Sequence, residues 1–184
     1  MKAKSQLIEL PVATDDGEFI ARYSEKGLAG LSFPKQSNRR RRGDESQIAL
    51  DTGDLVRDSS RRFLQTKILR WHNTTTKALK AILAGREPKT FPPLDMSGTA
   101  FQKSVWRAMQ KISLGKTKSY GEIAAAIGRP KAVRAVGGAC GANPVPVLVP
   151  CHRVLAANNK LGGFGGGLDW KRSLLKREGV NYGG

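Results

Sequence analysis

Pro88, Pro92 and Pro93 constrain this chain more than any other feature. A proline lacks the amide donor of a helix or sheet ladder and bars the helical conformation from the residue before it. The three prolines mark a linker, and the hydrophobic pattern differs on its two sides. Before it, Gln6-Leu7-Ile8-Glu9-Leu10-Pro11, Phe19-Ile20-Ala21-Arg22-Tyr23 and Gly27-Leu28-Ala29-Gly30-Leu31-Ser32-Phe33 are short strand-like pieces. Asp15-Asp16-Gly17 and Glu25-Lys26-Gly27 supply the turns, so a small antiparallel meander is expected. Over residues 61–83 apolar side chains recur at helical spacing, at Phe63, Ile68, Leu69, Leu79, Ile82 and Leu83, and Gly85 stops the helix. His72 lies in this stretch and is read as a surface or packing residue. Between these segments, residues 35–60 are polar around Arg39-Arg40-Arg41-Arg42-Gly43-Asp44-Glu45 and read as a mobile loop. A solvated loop is favoured there over a nuclear address or an extra phosphate contact.

After the linker the period becomes helical. Thr99-Ala100-Phe101-Gln102-Lys103-Ser104-Val105-Trp106-Arg107-Ala108-Met109 places Phe101, Val105, Ala108 and Met109 on one face as core. Gly115-Lys116-Thr117-Lys118 is a basic turn. Ser119 and Glu122 form a capping box for a helix over residues 120–127, closed by Gly128-Arg129-Pro130. A second helix follows with Ala132, Val133, Ala135, Val136 and Ala139, and the pair reads as a helix-turn-helix. The second helix offers Ala132, Ala135, Gly137, Gly138 and Ala139, with Arg134 its only long polar side chain. Few groups there can read base edges, so the expected mode is DNA binding that positions the duplex without reading much sequence. One arginine among small residues suits the filling of a gap left by an extruded base.

Charge points to the same partner. With 32 Lys+Arg against 15 Asp+Glu, the net charge is +17, which favours a polyanion and, first among polyanions, nucleic acid. No stretch reaches the apolar length of a membrane span, and Met1-Lys2-Ala3-Lys4 is not followed by a signal-peptide core. Two cysteines fit a reducing compartment, and the expected location is the cytoplasm of a prokaryote, or the nucleus if the source is eukaryotic.

Pro150-Cys151-His152-Arg153-Val154 is the segment richest in chemistry. Pro144-Val145-Pro146-Val147-Leu148-Val149 before it reads as a buried extended segment, and Gly162-Gly163-Phe164-Gly165-Gly166-Gly167 after it as a loop that approaches a ligand closely. A thiol between the two is placed like a nucleophile. Adjacent side chains on an extended backbone point apart, so His152 would act through a water rather than by touching the sulfur. An inert buried cysteine stays open on this adjacency alone. Zinc is not expected, because the inventory is Cys140, Cys151, His72 and His152, with no Cys-x-x-Cys pair. Cys140 reads as a small buried residue ending the second helix.

Thr99-Ala100-Phe101-Gln102, Ser119-Tyr120-Gly121-Glu122, Pro130-Lys131-Ala132-Val133-Arg134-Ala135-Val136-Gly137, Asn143-Pro144 and Pro150-Cys151-His152-Arg153-Val154 occur in this order. Together they closely resemble the O6-alkylguanine-DNA alkyltransferases, the methylated-DNA–protein-cysteine methyltransferases, over about residues 97–180 and more weakly before them. The resemblance implies an α+β fold. A small sheet-plus-helix, ribonuclease-H-like domain over residues 1–90 would precede a mainly helical, winged-helix-like DNA-binding domain over residues 91–184. It implies direct, single-turnover transfer of the alkyl group from O6-alkylguanine, and from O4-alkylthymine, in double-stranded DNA to Cys151, by a monomer without cofactor, metal or membrane. Cys151 would accept the alkyl group within a Cys–water–His–Glu relay completed by His152 and Glu178. Asn143 would hold the active-site turn, Tyr120 would donate a proton to the departing guanine, and Arg134 would replace the flipped base. Lys131, Ala135, Gly137, Thr117 and Ser119 would meet DNA, while Val154, Phe164, Gly165 and, at the edge, Lys171 would line the pocket.

Two departures follow from the same resemblance. Gly165 stands where some relatives carry a hydroxyl, and no cysteine precedes Cys140 to hold the zinc found in some N-terminal domains. Read singly, Tyr120 is a helix-start packing residue, Arg134 a phosphate clamp, Asn143 an Asx-turn former and Glu178 a surface carboxylate. The order of the motifs favours the functional roles. A lesion-binding protein of the alkyltransferase-like class is the alternative, and it is disfavoured because those proteins lack the acceptor cysteine. A helix-turn-helix regulator is disfavoured by the bare second helix.

Overall fold

The computed structural model describes residues 7–34 and 59–183, so the arginine run at Arg39 to Arg42 lies outside the described residues. Strands β1 (Ile8–Thr14), β2 (Gly17–Tyr23) and β3 (Leu28–Ser32) form the expected antiparallel meander in that spatial order. Period-two burial is cleanest in β2, where Phe19, Ala21 and Tyr23 are fully buried between more exposed neighbours. Val12 of β1 stands opposite Phe19, and Leu31 of β3 opposite Ala21.

Helix α1 (Ser59–Leu83) lays Ile68, Ala78, Leu79, Ile82 and Leu83 on the core. Phe63 and Leu69, which fall near the same helical stripe in sequence, are instead 72% and 50% exposed. His72 takes the packing role, its Nδ1 standing 3.3 Å from the Tyr23 hydroxyl. The proline linker is fastened to the sheet. Leu28 N–H donates to Pro93 O at 2.8 Å and Asp95 N–H donates to Leu28 O at 2.9 Å. These bonds satisfy the edge of β3 and fix where the second half of the chain begins.

Helix α2 (Ala100–Gln110) opens on a capping box in which Thr99 Oγ1 accepts from Gln102 N–H and Gln102 Oε1 accepts from Thr99 N–H. Its buried residues are Val105, Trp106 and Met109, with Phe101 and Ala108 partly buried. Trp106 is the largest fully buried side chain, and its indole N–H donates to Ala139 O at 2.8 Å. Helix α3 (Tyr120–Ala126) carries the expected Ser119/Glu122 capping box, and helix α4 (Val133–Gly141) packs on both α2 and α3. Between them Gly128, at φ +72°, lets Arg129 N–H reach Ala124 O while its own N–H bonds Ala125 O. This Schellman ending gives the chain its sharp turn into α4.

Two short strands, β4 (Lys118–Ser119) and β5 (Val154–Leu155), pair in parallel. The pairing sets Tyr120, the first residue of α3, beside the chain leaving Cys151. Helix α5 (Leu168–Arg177) closes the fold, and Arg177 ties it to the first half by bonding both Asp16 carboxylate oxygens and Leu83 O. Buried apolar residues from both halves form one contiguous cluster.

Candidate active site

The segment before Cys151 departs from its expected strand. Residues 144–149 are buried for the most part but form a turn, closed by Val149 N–H donating to Val145 O at 2.9 Å, with Val147 at φ +72°. Two prolines in six residues remove the donors a strand ladder needs. A β-branched residue at positive φ is strained, so the turn needs outside support. Asn143 provides it. Its Oδ1 accepts from Val145 N–H at 3.1 Å, and its Nδ2 donates to Val149 O at 2.9 Å and to Cys151 Sγ at 3.2 Å.

Cys151, His152 and Arg153 then make a single 3₁₀ turn, all three buried, so the expected extended alternation of Cys151 and His152 does not occur. His152 Nε2 stands 2.9 Å from Glu178 Oε1, both side chains fully enclosed. Glu178 follows the last turn of α5 and is no surface carboxylate. Arg153 brackets it from the other side, Nε at 2.9 Å from Oε2 and Nη2 at 2.9 Å from Oε1, while Nη1 donates to Ile112 O at 2.6 Å.

The electrostatics follow from these contacts. Burial alone would raise the Glu178 carboxyl, but hydrogen bonds from His152 and Arg153 and their charges outweigh it and hold it at about 2. Glu178 is therefore an ion that only accepts hydrogen bonds, which makes His152 Nε2 the donor. Burial lowers the His152 pKa against the opposing pull of Glu178, so the ring is neutral at pH 7 and its Nδ1 carries a lone pair. Among the described residues that buried Nδ1 has no hydrogen-bond partner. Burial also pushes the Cys151 thiol up, opposed by the Asn143 bond and the Lys171 charge. The resting group is a thiol that needs a base, and a neutral histidine follows it in the same turn.

Cys151 opens into a cleft of about 590 Å³ that also meets Tyr120, Arg134, Gly137, Phe164 and Gly165. Burial raises the Tyr120 hydroxyl above its ordinary pKa, helped by the neighbouring Cys140 and Cys151, so it remains a proton donor. Gly162 passes so close to this ring that a Cβ would stand 2.9 Å from the Tyr120 oxygen. Arg134 lies exposed on α4 at the cleft, with exposed Val133 and Ala135 beside it. Lys131 is exposed ahead of α4, Ser119 caps α3, and Thr117 is half-buried just before β4.

Two expected pocket residues sit behind the wall. Val154 is fully buried in β5, and Lys171, expected at the pocket edge, is fully buried beneath the glycine-rich loop. The Lys171 ammonium donates to the carbonyls of Val154, Leu161 and Gly163, and its burial lowers its pKa to about 8. Its butylene stem is long enough to reach that depth from α5, so it shapes the pocket by holding the loop. Arg153 does not stand out in the sequence as a site residue. A lone basic residue inside an apolar run is its only local signal, since a buried cation requires a partner. Cys140 is buried at the end of α4 as expected, yet it also lines the cleft beside Cys151.

Comparison with known proteins converges on one family. A family model described as 6-O-methylguanine DNA methyltransferase, DNA binding domain, matches residues 100–180. The methylated-DNA–protein-cysteine methyltransferase of Haemophilus influenzae is 52% identical over 90 residues, 49% of this chain and 50% of that protein, so the matched part spans half the length of that relative. The protein of the same name from Methanosarcina barkeri is 36% identical over 172 residues, 94% of each chain. The crystal structure of Mycobacterium tuberculosis OGT in complex with DNA superposes with a TM-score of 0.63 at 34% identity, over 91% of this chain and 90% of that one.

Proposed function

The chain belongs to the methylated-DNA–protein-cysteine methyltransferase family, and on that premise we propose that it repairs DNA by moving the alkyl group of O6-alkylguanine onto its own Cys151. The observation that carries this reading is a buried Cys151 thiol facing a cleft with Tyr120 and Arg134, beside a neutral His152 held by Glu178. A water bridging Cys151 to the free Nδ1 of His152 passes the thiol proton to the ring, and the resulting imidazolium is stabilised by the ionised Glu178. The thiolate attacks the sp3 carbon in line with O6. The C–O6 bond breaks with its electrons on guanine, which takes a proton from Tyr120; the proton on His152 restores the balance. The product is a thioether, which cysteine redox chemistry does not reverse, so each molecule acts once. O4-alkylthymine presents the same kind of carbon on an exocyclic oxygen and is read as a second substrate.

Guanine O6 is occupied in base pairing, so the base must leave the double helix to reach Cys151. Exposed Arg134 at the mouth of the cleft is suited to fill the gap, and the small residues of α4 let its backbone approach the groove. Lys131, Ala135, Gly137, Thr117 and Ser119 would contact the duplex around it. All members of the relay lie on one chain, which supports action as a monomer. Among the described residues no helix is long and apolar enough to cross a membrane. The same reading takes residues 1–90 as a ribonuclease-H-like domain, supported by the meander followed by α1. Residues 91–184 would form a winged-helix-like domain, supported by the α3–α4 pair and the adjoining β4–β5 strands.

A lesion-binding protein without transfer would need no acceptor, and Cys151 speaks against it. A sequence-specific regulator would need base-reading side chains, which α4 does not offer. Incubation with a duplex containing O6-methylguanine should add one methyl group to the protein, on the peptide containing Cys151. Cys151→Ser should abolish transfer and retain DNA binding; unchanged transfer by that variant would sink the reading.

A further inference from the structure

We propose that a second cavity, next to the base cleft on the side of the N-terminal sheet, receives the carbon chain of the lesion, so that alkyl groups longer than methyl are substrates. The inference rests on the alkyl transfer proposed above. This cavity of about 450 Å³ is walled by Leu31 and Phe33 from β3 and the segment after it, by Pro146 from the active-site turn, and by Trp170 from α5. It meets the base cleft at four residues common to both, Cys140, Gly141, Cys151 and Gly165. The nucleophile thus stands in the wall between two rooms.

The stereochemistry of the transfer says what the second room would hold. In an in-line displacement, sulfur, carbon and O6 lie along one axis, and the remaining substituents of the carbon splay sideways from it. Guanine occupies the cleft beyond O6. A chain attached to the reacting carbon therefore needs space beside the sulfur, away from the base. Between the two cavities that space is bordered by backbone: a Cβ on Gly165 would find only Gly141 O, at 4.0 Å, and a Cβ on Gly141 would find nothing within 4 Å. The missing hydroxyl at Gly165, a lost polar contact on the resemblance alone, becomes an open passage in the folded chain.

The walls suit an apolar occupant. Phe33 stacks at 5.0 Å between ring centroids on Trp170 and stands 5.7 Å from Phe164, which belongs to the base cleft. A Cβ on Gly166 would stand 2.6 Å from the Phe33 ring, so the sheet presses directly on the glycine-rich loop. In this arrangement the N-terminal half sets the size of the group that the C-terminal half transfers. The electron count is that of methyl transfer: one S–C bond forms, one C–O6 bond breaks, and the thiol proton ends on guanine.

The test compares single-turnover transfer from duplexes carrying O6-methylguanine or O6-butylguanine, read by intact mass, for the natural chain and for Ser32→Trp. Ser32 is half-buried on β3, lines the second cavity and takes no part in the chemistry. The natural chain should become butylated at Cys151. Ser32→Trp should leave the methyl rate unchanged and slow the butyl rate by about tenfold or more, the scale at which an apolar pocket discriminates chain length. Methyl transfer without butyl transfer by the natural chain would overturn the proposal, as would equal slowing of both substrates or of neither by Ser32→Trp. Absence of methyl transfer by the natural chain would overturn the underlying alkyl-transfer reading instead. Should Ser32→Trp fail to fold, a crystal structure of the butylated natural chain decides: the butyl group against Phe33 and Trp170 supports the second cavity, and the butyl group in the base cleft overturns it.

Discussion

His152 Nε2 and Glu178 Oε1 stand 2.9 Å apart, twenty-six residues apart in sequence and both shut off from solvent. Because Arg153 keeps the carboxylate ionised, this one contact decides the tautomer of the ring and frees Nδ1 as the base. Glu178→Gln would weaken both effects, since an amide is a poorer acceptor and offers no charge to an imidazolium. Transfer should fall by roughly 10²-fold, the lower end of general acid–base contributions, with DNA affinity unchanged. Single-turnover rates with a binding titration make the check; equal rates would remove Glu178 from the relay.

Arg153→Met should cost stability more than any surface change. It leaves Glu178 buried with one partner instead of two, and loss of one member of a buried ion pair is worth about 3–5 kcal/mol. Ile112 O also loses its donor. Urea unfolding midpoints measure this directly, and a change inside the range of exposed pairs, about 0–1 kcal/mol, would contradict the buried geometry.

The pH dependence has a definite sign. Glu178 is lowered to about 2 from an ordinary 4.5, so its contribution is fully present above pH 4.5 and is lost as pH falls toward 2. His152 is lowered below its ordinary 6.5, so the folded state resists protonating it and loses stability as pH drops below 6.5. Asp16, lowered first by its hydrogen bond from Arg177, adds to the loss at the acid end. Unfolding free energy should therefore decline in two stages on acidification. Glu178→Gln should flatten the lower one, and a profile as steep as that of the natural chain would exclude Glu178 as its source.

Tyr120 and Arg134 should fail differently. Tyr120→Phe keeps the ring against Gly162 and loses the proton donor, so reaction should slow by roughly 10²-fold with duplex lesion and free O6-benzylguanine alike. Arg134→Ala should slow only the duplex, because the free base needs no flipping. If the free base slows as much as the duplex, Arg134 supports the fold or pocket instead of the vacated stack.

Binding to undamaged duplex should weaken steeply with salt and vary little with sequence. The excess of basic side chains meets phosphates, and the exposed surface of α4 carries one long polar group. Competition titrations at several salt concentrations provide the measurement. A strong preference for one sequence would favour the regulator reading.

The meander, the helix-turn-helix and the Ser119 cap are legible in the sequence alone. Each depends on neighbours within about four residues, so alternation, helical spacing and turn residues write them locally. Cys151, His152 and Asn143 are short-range as well, and their spacing survives into the folded site. What the sequence left open lies at long range. Phe63 and Leu69 share a helical stripe with core residues, yet only the reach of the sheet under α1 decides which of them is covered. Residues 144–149 are apolar enough for a strand, and the missing proline donors with the three bonds of Asn143 make them a turn. Lys171 looks like a surface cation until α5 is docked and its ammonium meets three carbonyls. The second cavity beside Cys151 has no local signal at all. It exists because β3, α5 and two glycines from separate loops converge on one sulfur, and convergence of that kind is a property of the packed chain.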